Sequence, residues 1–289
     1  MRRRAFFCGL ILTVSVALAS TANAQQSQTS SAIPADMYCS GVISTDAVPR
    51  DSYLITGEQS NYKTSFQEGD YVYINKGASQ GVKVGDKFSV VRAVKRYNDV
   101  SWYKWQSSLL RAMGTLWEDE GRLKVVVAQP DVSIAQVEES CNYMLRGDIL
   151  LPFAERQPPT LKSENDFDRF APPSGKGKAM VVTGKQYQNQ LGMHDIAYIN
   201  LGSAQGVQVG GYFRIFRYQG TQDEKAYQLR GIATHIYGFG SAPSSWKWDK
   251  LPREVLGEGI VLRTGPNSST VLITFSQREI LAGDYVEVE

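Results

Sequence analysis

Few side chains in this sequence stand at a spacing that supports chemistry. There are two histidines, His194 and His235, and neither belongs to a pattern that holds zinc or pairs with a nucleophile. Glu118-Asp119-Glu120 places three carboxylates in a row, which raises a cation site or an acid/base pair. Consecutive side chains point apart, so the run is expected to be a solvated loop. Gly77, Gly81 and Gly85 are followed by no Gly-Lys-Ser/Thr and by no expected helix, so they read as turn glycines and not as a phosphate cradle. Gly202, Gly206 and Gly210 read the same way. No catalytic residue, cofactor or metal site is expected.

The elements that position these residues begin after a leader. Arg2, Arg3 and Arg4 precede an apolar run from Ala5 to Ala19, and Ala22-Asn23-Ala24 follows. That is the pattern of a secretory signal peptide over residues 1–24, too short in its apolar part to span a bilayer. The expected location is periplasmic or secreted, with no transmembrane segment in the mature chain. Once the leader arginines are set aside, the remaining basic residues balance the 29 acidic ones to within one charge. Both signs are interspersed, which argues against a nucleic-acid footprint. Cys39 and Cys141 remain as one pair after Cys8 is removed with the leader. An even pair in an oxidising compartment is expected to form a disulfide, the alternative being a small strand residue and an idle thiol.

An internal repeat organises the rest. GDYVYINKGASQGVKVGDKFSVVR (69–92) returns without a gap as HDIAYINLGSAQGVQVGGYFRIFR (194–217), identical at half of its positions. His194 thus stands in the place of Gly69. A second block aligns 121–151 with 257–287 and pairs Val125 with Val261, Pro130 with Pro266, and Gly147-Asp148 with Gly283-Asp284. Leading strands at 53–57 and 180–184 complete each copy. Tyr71, Tyr73 and Asn75 alternate with Val72 and Ile74, the period of a strand. Gly77 and Gly81 are expected to supply positive φ, and Val82 and Val84 to point inward. The reading is all-β: a polar lead-in over 25–50, a small antiparallel β-barrel or compact sandwich over 51–153, a Pro/Gly-rich linker over 154–177 that leaves the copies free of rigid docking, and a second such unit over 178–289. One short helix is expected around Ser107–Met113.

The copies differ most between Arg92 and Gly121 and between Arg217 and Gly257. The first insertion holds Trp102, Tyr103, Trp105 and Trp117; the second holds Tyr237, Phe239, Trp246 and Trp248. Aromatic rings interleaved with lysine suit stacking and cation–π contact with a glycan or peptide. Rings that do not fold back into the chain are expected to form the partner surface.

The phrase VYIN-x-G-x-x-QGV-x-VGD-x-F-x-V-x-R, with a later strand pair closing on Gly-Asp, resembles the carboxy-terminal β domain of flagellar assembly protein T. It is also similar to β domains of LysM-associated bacterial envelope proteins. The resemblance runs through 69–92, 121–151, 194–217 and 257–287. It departs at Gly211, which replaces the motif aspartate. It implies a small periplasmic β-barrel that acts by contact and brings no catalytic residue. The expected function is a non-catalytic envelope adaptor or scaffold binding a protein partner or peptidoglycan. Two alternatives stand beside it: a flagellar-assembly accessory protein, and an envelope hydrolase or glycan-processing enzyme with its site between the copies.

Overall fold

The computed structural model describes residues 31–94, 102–162, 167–219 and 251–289. The leader at 1–24, His235 and the aromatics Tyr237, Phe239, Trp246 and Trp248 lie outside the described residues. The described chain is mostly β, and none of its helices is long and apolar enough to cross a membrane.

The first half begins with helix α1 (Pro34–Tyr38) and strand β1 (Val42–Ser44). Then come β2 (Leu54–Gly57), β3 (Ser65–Phe66), β4 (Tyr71–Ile74) and β5 (Lys87–Val94). Helix α2 (Gln106–Met113) leads into β6 (Thr115–Ala128), β7 (Ser133–Ser140), β8 (Met144–Leu145) and β9 (Ile149–Pro152). These form one antiparallel sheet in the order β2-β4-β7-β6-β5-β9, with β1 added on β6. Its outer strands approach at the Tyr53–Ile149 bridge. There the Leu54 amide donates to the Asp148 carbonyl and the Leu150 amide to the Ser52 carbonyl, both at 2.9 Å.

The second half holds β10 (Lys178–Gly184), β11 (Gln190–Leu191), β12 (Ile196–Ile199), β13 (Tyr212–Arg217), β14 (Glu254–Thr264), β15 (Ser269–Ser276), β16 (Ile280–Leu281) and β17 (Tyr285–Val288). It closes as a six-stranded barrel, β10-β12-β15-β14-β13-β17. Under the sequence repeat this is the strand order of the first half. The short pairs β3–β8 and β11–β16 correspond as well. Each half encloses its own apolar cluster, around Leu54, Val72, Leu123 and Leu150 in the first and Val181, Phe213, Val261 and Val286 in the second.

The identical polar residues explain why the repeat is so exact. Arg92 grips Asp148 through Nε and Nη2 at 2.7 Å each, and Arg217 grips Asp284 the same way at 2.8 Å. Each aspartate also accepts from a backbone amide, Leu145 or Leu281, at the turn it closes. Asn75 and Asn200 accept from the amides of Tyr53 and Met180, both at 2.7 Å. Gln80 and Gln205 accept from Gly77 and Gly202, both at 2.8 Å. Asp70 and Asp195 accept from Gln67 and Gly192. These side chains tie turns to strands, satisfying backbone donors that the sheet ladder leaves over.

Several expectations need correction. Gly77 and Gly202 are extended, with φ −129° and −137°. They are required because a Cβ would lie 2.2 Å from the Gln129 carbonyl oxygen or 2.3 Å from that of Gly265. Gly81, Gly85, Gly206 and Gly210 do take positive φ. Val82 and Val207 are buried, but Val84 and Val209 are exposed, because the second turn rotates the chain between them. Where Gly211 replaces Asp86, the backbone turn bond survives at 3.1 Å in both halves and only the carboxylate bond to Lys83 is lost.

The largest difference concerns the lead-in and the first insertion. Residues expected as a polar lead-in build α1 and β1, and β6 starts at Thr115, inside the stretch expected as an insertion. Glu118, Asp119 and Glu120 are therefore strand residues, and Asp119 and Glu120 are buried. The helix begins at Gln106, close to its expected place. A third apolar cluster spans both halves, joining Met37, Ile43, Leu110, Met113 and Leu116 to Val182, Tyr198, Ile260 and Leu272. The two sheets are thus docked on each other and not merely tethered.

Removing one partner from a buried, bidentate ion pair leaves the other charge uncompensated, at a cost of about 3 kcal/mol. Asp148→Asn and Asp284→Asn are each expected to lower stability by about that amount, measured as the midpoint shift in urea unfolding.

Candidate functional site

The seam between the halves is built on Asp119. Its carboxylate accepts from the Gly41 amide at 2.8 Å and from Arg263 Nη1 at 2.9 and 3.1 Å. Gly41 has φ +66°, and a Cβ there would stand 2.7 Å from the Tyr198 hydroxyl. That hydroxyl donates to the Ser40 carbonyl at 2.8 Å, Thr270 Oγ1 donates to the Gly41 carbonyl at 3.0 Å, and Ser268 Oγ donates to the Ile43 carbonyl. Arg156 Nη1 donates to the Met37 carbonyl at 2.6 Å. Segment 37–44 is thus held from both sheets. Cys39 and Cys141 are bonded, with Cα atoms 5.3 Å apart, which fixes α1 to the end of β7.

Glu120 lies one residue further along β6 and on the opposite face. Its side chain is wholly buried, and its neighbour is Arg92 Nη1 at 3.1 Å. Burial pushes its carboxyl up to about 8, against the pull of Arg92 and with repulsion from Asp148, Glu118 and Asp119 adding to the rise. The second half carries Leu256 at the matching position and Val255 opposite Asp119, both buried. The repeat folds without either acid, so both are particular to the first half: Asp119 faces the seam and Glu120 faces Arg92. Beside them a cleft of about 480 Å³ is lined by Arg92, Glu118, Asn142, Gln186 and Tyr187. Gln186 and Tyr187 hold left-handed backbone at φ 54° and 60°. Among the described residues no group of three His, Cys, Asp or Glu side chains is placed to hold a metal ion.

His194 has φ +71°, matching Gly69 at +89°, and its amide donates to the Ile273 carbonyl as that of Gly69 does to Val137. Its place in the fold is that turn.

The aromatic candidates divide. Trp117 and Tyr103 are buried, Trp117 under the guanidinium of Arg50 at 5.6 Å. Trp102 and Trp105 remain 49% and 66% exposed. They flank the start of α2, with Lys104 Nζ 4.8 Å from the Trp105 ring centre. The shelf they form is rigidly supported: Gln106 is buried, donates to the Val182 carbonyl at 2.9 Å, and accepts from the Trp102 amide at 2.7 Å. Trp105 itself is in left-handed conformation, φ +79°, which costs energy for a bulky residue and persists because α2 is anchored in the seam.

A second concave surface lies on the first half. A groove of about 800 Å³ runs past Pro49, Lys76, Gly85, Lys87, Phe88 and Phe153. The glycine turns that the repeat preserves form one wall of it. No sequence motif marks this surface, since grooves between turn and strand termini are made by residues remote in the chain.

Compared with known proteins, the chain matches no family model and no curated protein.

Glu120 carries its own pH signature. Its folded pKa lies above the 4.5 of an unperturbed glutamate, so the native state binds the extra proton. Its stabilising form is complete below about pH 4.5 and is lost as pH rises toward about 8. Glu120→Gln is expected to flatten this loss and to raise stability at pH 8 by about 3 kcal/mol relative to pH 5. Urea midpoints of both proteins across that range check it.

Proposed function

We propose that this chain is an exported, non-catalytic envelope adaptor: a tandem of two β-barrels descended from one unit, docked into a single body, which holds a partner by surface contact. The observation that carries this reading is the tryptophan shelf. Large aromatic rings ordinarily find burial within their own chain, and exposed ones on a rigid support are the typical anchors of an interface. Trp102 and Trp105 are exposed on a helix start that is fixed by buried hydrogen bonds. The flat indole faces and Lys104 suit either a glycan or a protein surface. The resemblance to periplasmic β domains supports the location and leaves the flagellar-accessory role as one form of the same reading.

The glycan-processing alternative draws on the cleft beside the seam. Such an enzyme needs two carboxylates facing the substrate about 5–10 Å apart. Glu118 lines the cleft, but Glu120 is closed off behind Arg92, which favours the adaptor.

Loss of two interface anchors of about 2 kcal/mol each, about 4 kcal/mol together, gives roughly a thousandfold fall in affinity. Trp102→Ala/Trp105→Ala is expected to show that fall against purified peptidoglycan sacculi or against the envelope protein that the parent retains in a pull-down. Undiminished binding to both would refute the adaptor surface.

A further inference from the structure

The internal repeat places two copies of the same groove on this molecule, and one of them is filled. In the second half the chain's own segment 159–162 lies across it. Pro159 is buried, and its Cβ stands 3.8 Å from where a Cβ on Gly210 would be. The Lys162 amide donates to the Tyr212 hydroxyl at 2.6 Å. The Lys162 ammonium sits 4.3 Å from the Tyr212 ring centre and pairs with Glu289. The segment is extended, bridged at Thr160 to Ser31.

Carried through the repeat, Gly210, Tyr212 and Glu289 become Gly85, Lys87 and Phe153, and all three line the open groove of the first half. Gly85 is open, with nothing within 4 Å of where a Cβ would stand, and no described segment of the chain crosses from it to Lys87 as 159–162 crosses the second half. Phe153 closes the far end of the groove, packed on Tyr38 with ring centres 5.2 Å apart and under the Arg122 guanidinium at 4.9 Å, which adds a second cation to that end. Phe88 is partly exposed in that groove, whereas its counterpart Phe213 is 1% exposed. The contact chemistry is inverted. Where the second half offers a carboxylate and an aromatic ring to an incoming lysine, the first offers a lysine and an aromatic ring. Lys87 is half-exposed and pairs at 3.1 Å with Glu138, which also accepts from Arg122 at 2.8 Å, so Glu138 does not depend on Lys87 for its counter-charge.

We propose that the groove of the first half is a peptide-docking site for an extended segment of a partner protein, with a proline over Gly85 and an acidic residue three positions later against Lys87 and Phe153. Proline lowers the ordering cost of an extended ligand, and the glycine turn lets its ring approach the backbone. This site is separate from the tryptophan shelf and does not depend on it.

The test uses the full mature chain and two synthetic peptides, Gln-Pro-Pro-Thr-Leu-Lys, which is segment 157–162, and the same peptide with Lys162→Glu. Backbone NMR titration is expected to shift the amides of Gly85, Asp86 and Lys87 with the acidic peptide, which binds about threefold more tightly than the basic one, the ratio that one exposed ion pair supplies. Lys87→Tyr/Phe153→Glu, which installs the chemistry of the second half, is expected to reverse that preference. If this variant fails to fold, the two peptides on the parent protein decide. Equal binding of both peptides, or shifts confined to other surfaces, would overturn the proposal. Shifts at the same three amides that grow with protein concentration in the absence of peptide would also overturn it, by making a second copy of this chain the occupant. Because none of these readouts involves Trp102 or Trp105, failure here leaves the adaptor surface to be judged by its own variant.

Discussion

One carboxylate organises the contact between the two halves. Asp119 is buried where the sheets meet, and a buried charge is tolerated only when it is paired and hydrogen-bonded. Its partners come from two distant parts of the chain: the Gly41 amide and Arg263 of the second barrel. Satisfying it requires the segment at 37–44 to lie in the seam with left-handed backbone at Gly41. Once there, that segment offers carbonyls to Tyr198, Ser268 and Thr270 and seats Met37 and Ile43 among apolar side chains of both halves. The disulfide then closes α1 onto the end of β7. Polar specificity and apolar burial coincide in one place, which is what converts two linked sheets into one body.

The repeat separates what the fold requires from what each half has acquired. Arg92 with Asp148 and Arg217 with Asp284 make the same bidentate grip, and the paired Asn, Gln and Asp residues bind the same backbone amides. These identities are structural. Divergence marks the acquired features: Asp119 and Glu120 stand where the second half has Val255 and Leu256, and Lys87 and Phe153 stand where it has Tyr212 and Glu289. In the first pair Asp119 built the seam, while Glu120 joined Arg92 within the first half. The second changed the chemistry of a groove whose counterpart is covered by the chain itself.

Much of the architecture was legible in the sequence because it is local. Alternation in 71–75 gives the strand faces, and the glycines at 81, 85, 206 and 210 stand in turns as expected and take positive φ, as Gly77 does not. What was misread depends on contacts far apart in sequence. Glu118-Asp119-Glu120 looked solvated because its partners lie 78 and 144 residues away, at Gly41 and Arg263. Strand β6 is buried on both faces over this stretch, once by its own core and once by the seam, so it lacks the two-residue period that marks a half-buried strand. The tryptophans were ambiguous for the same reason. Composition placed four aromatics in one insertion, and only the tertiary fold determines that Tyr103 and Trp117 turn inward while Trp102 and Trp105 stay out.

The proposed adaptor role would gain from such a body, since a partner surface on a rigid support loses less entropy on binding than one on a tethered module. The central claim is therefore that the seam makes the two halves unfold together. Native-state hydrogen exchange tests it at three amides: Gly41 in the seam, Val125 in the first half and Val261 in the second, each hydrogen-bonded within the structure. The account predicts that all three exchange only through global unfolding, with the same free energy. Fast exchange at Gly41, or clearly different free energies at Val125 and Val261, would contradict it.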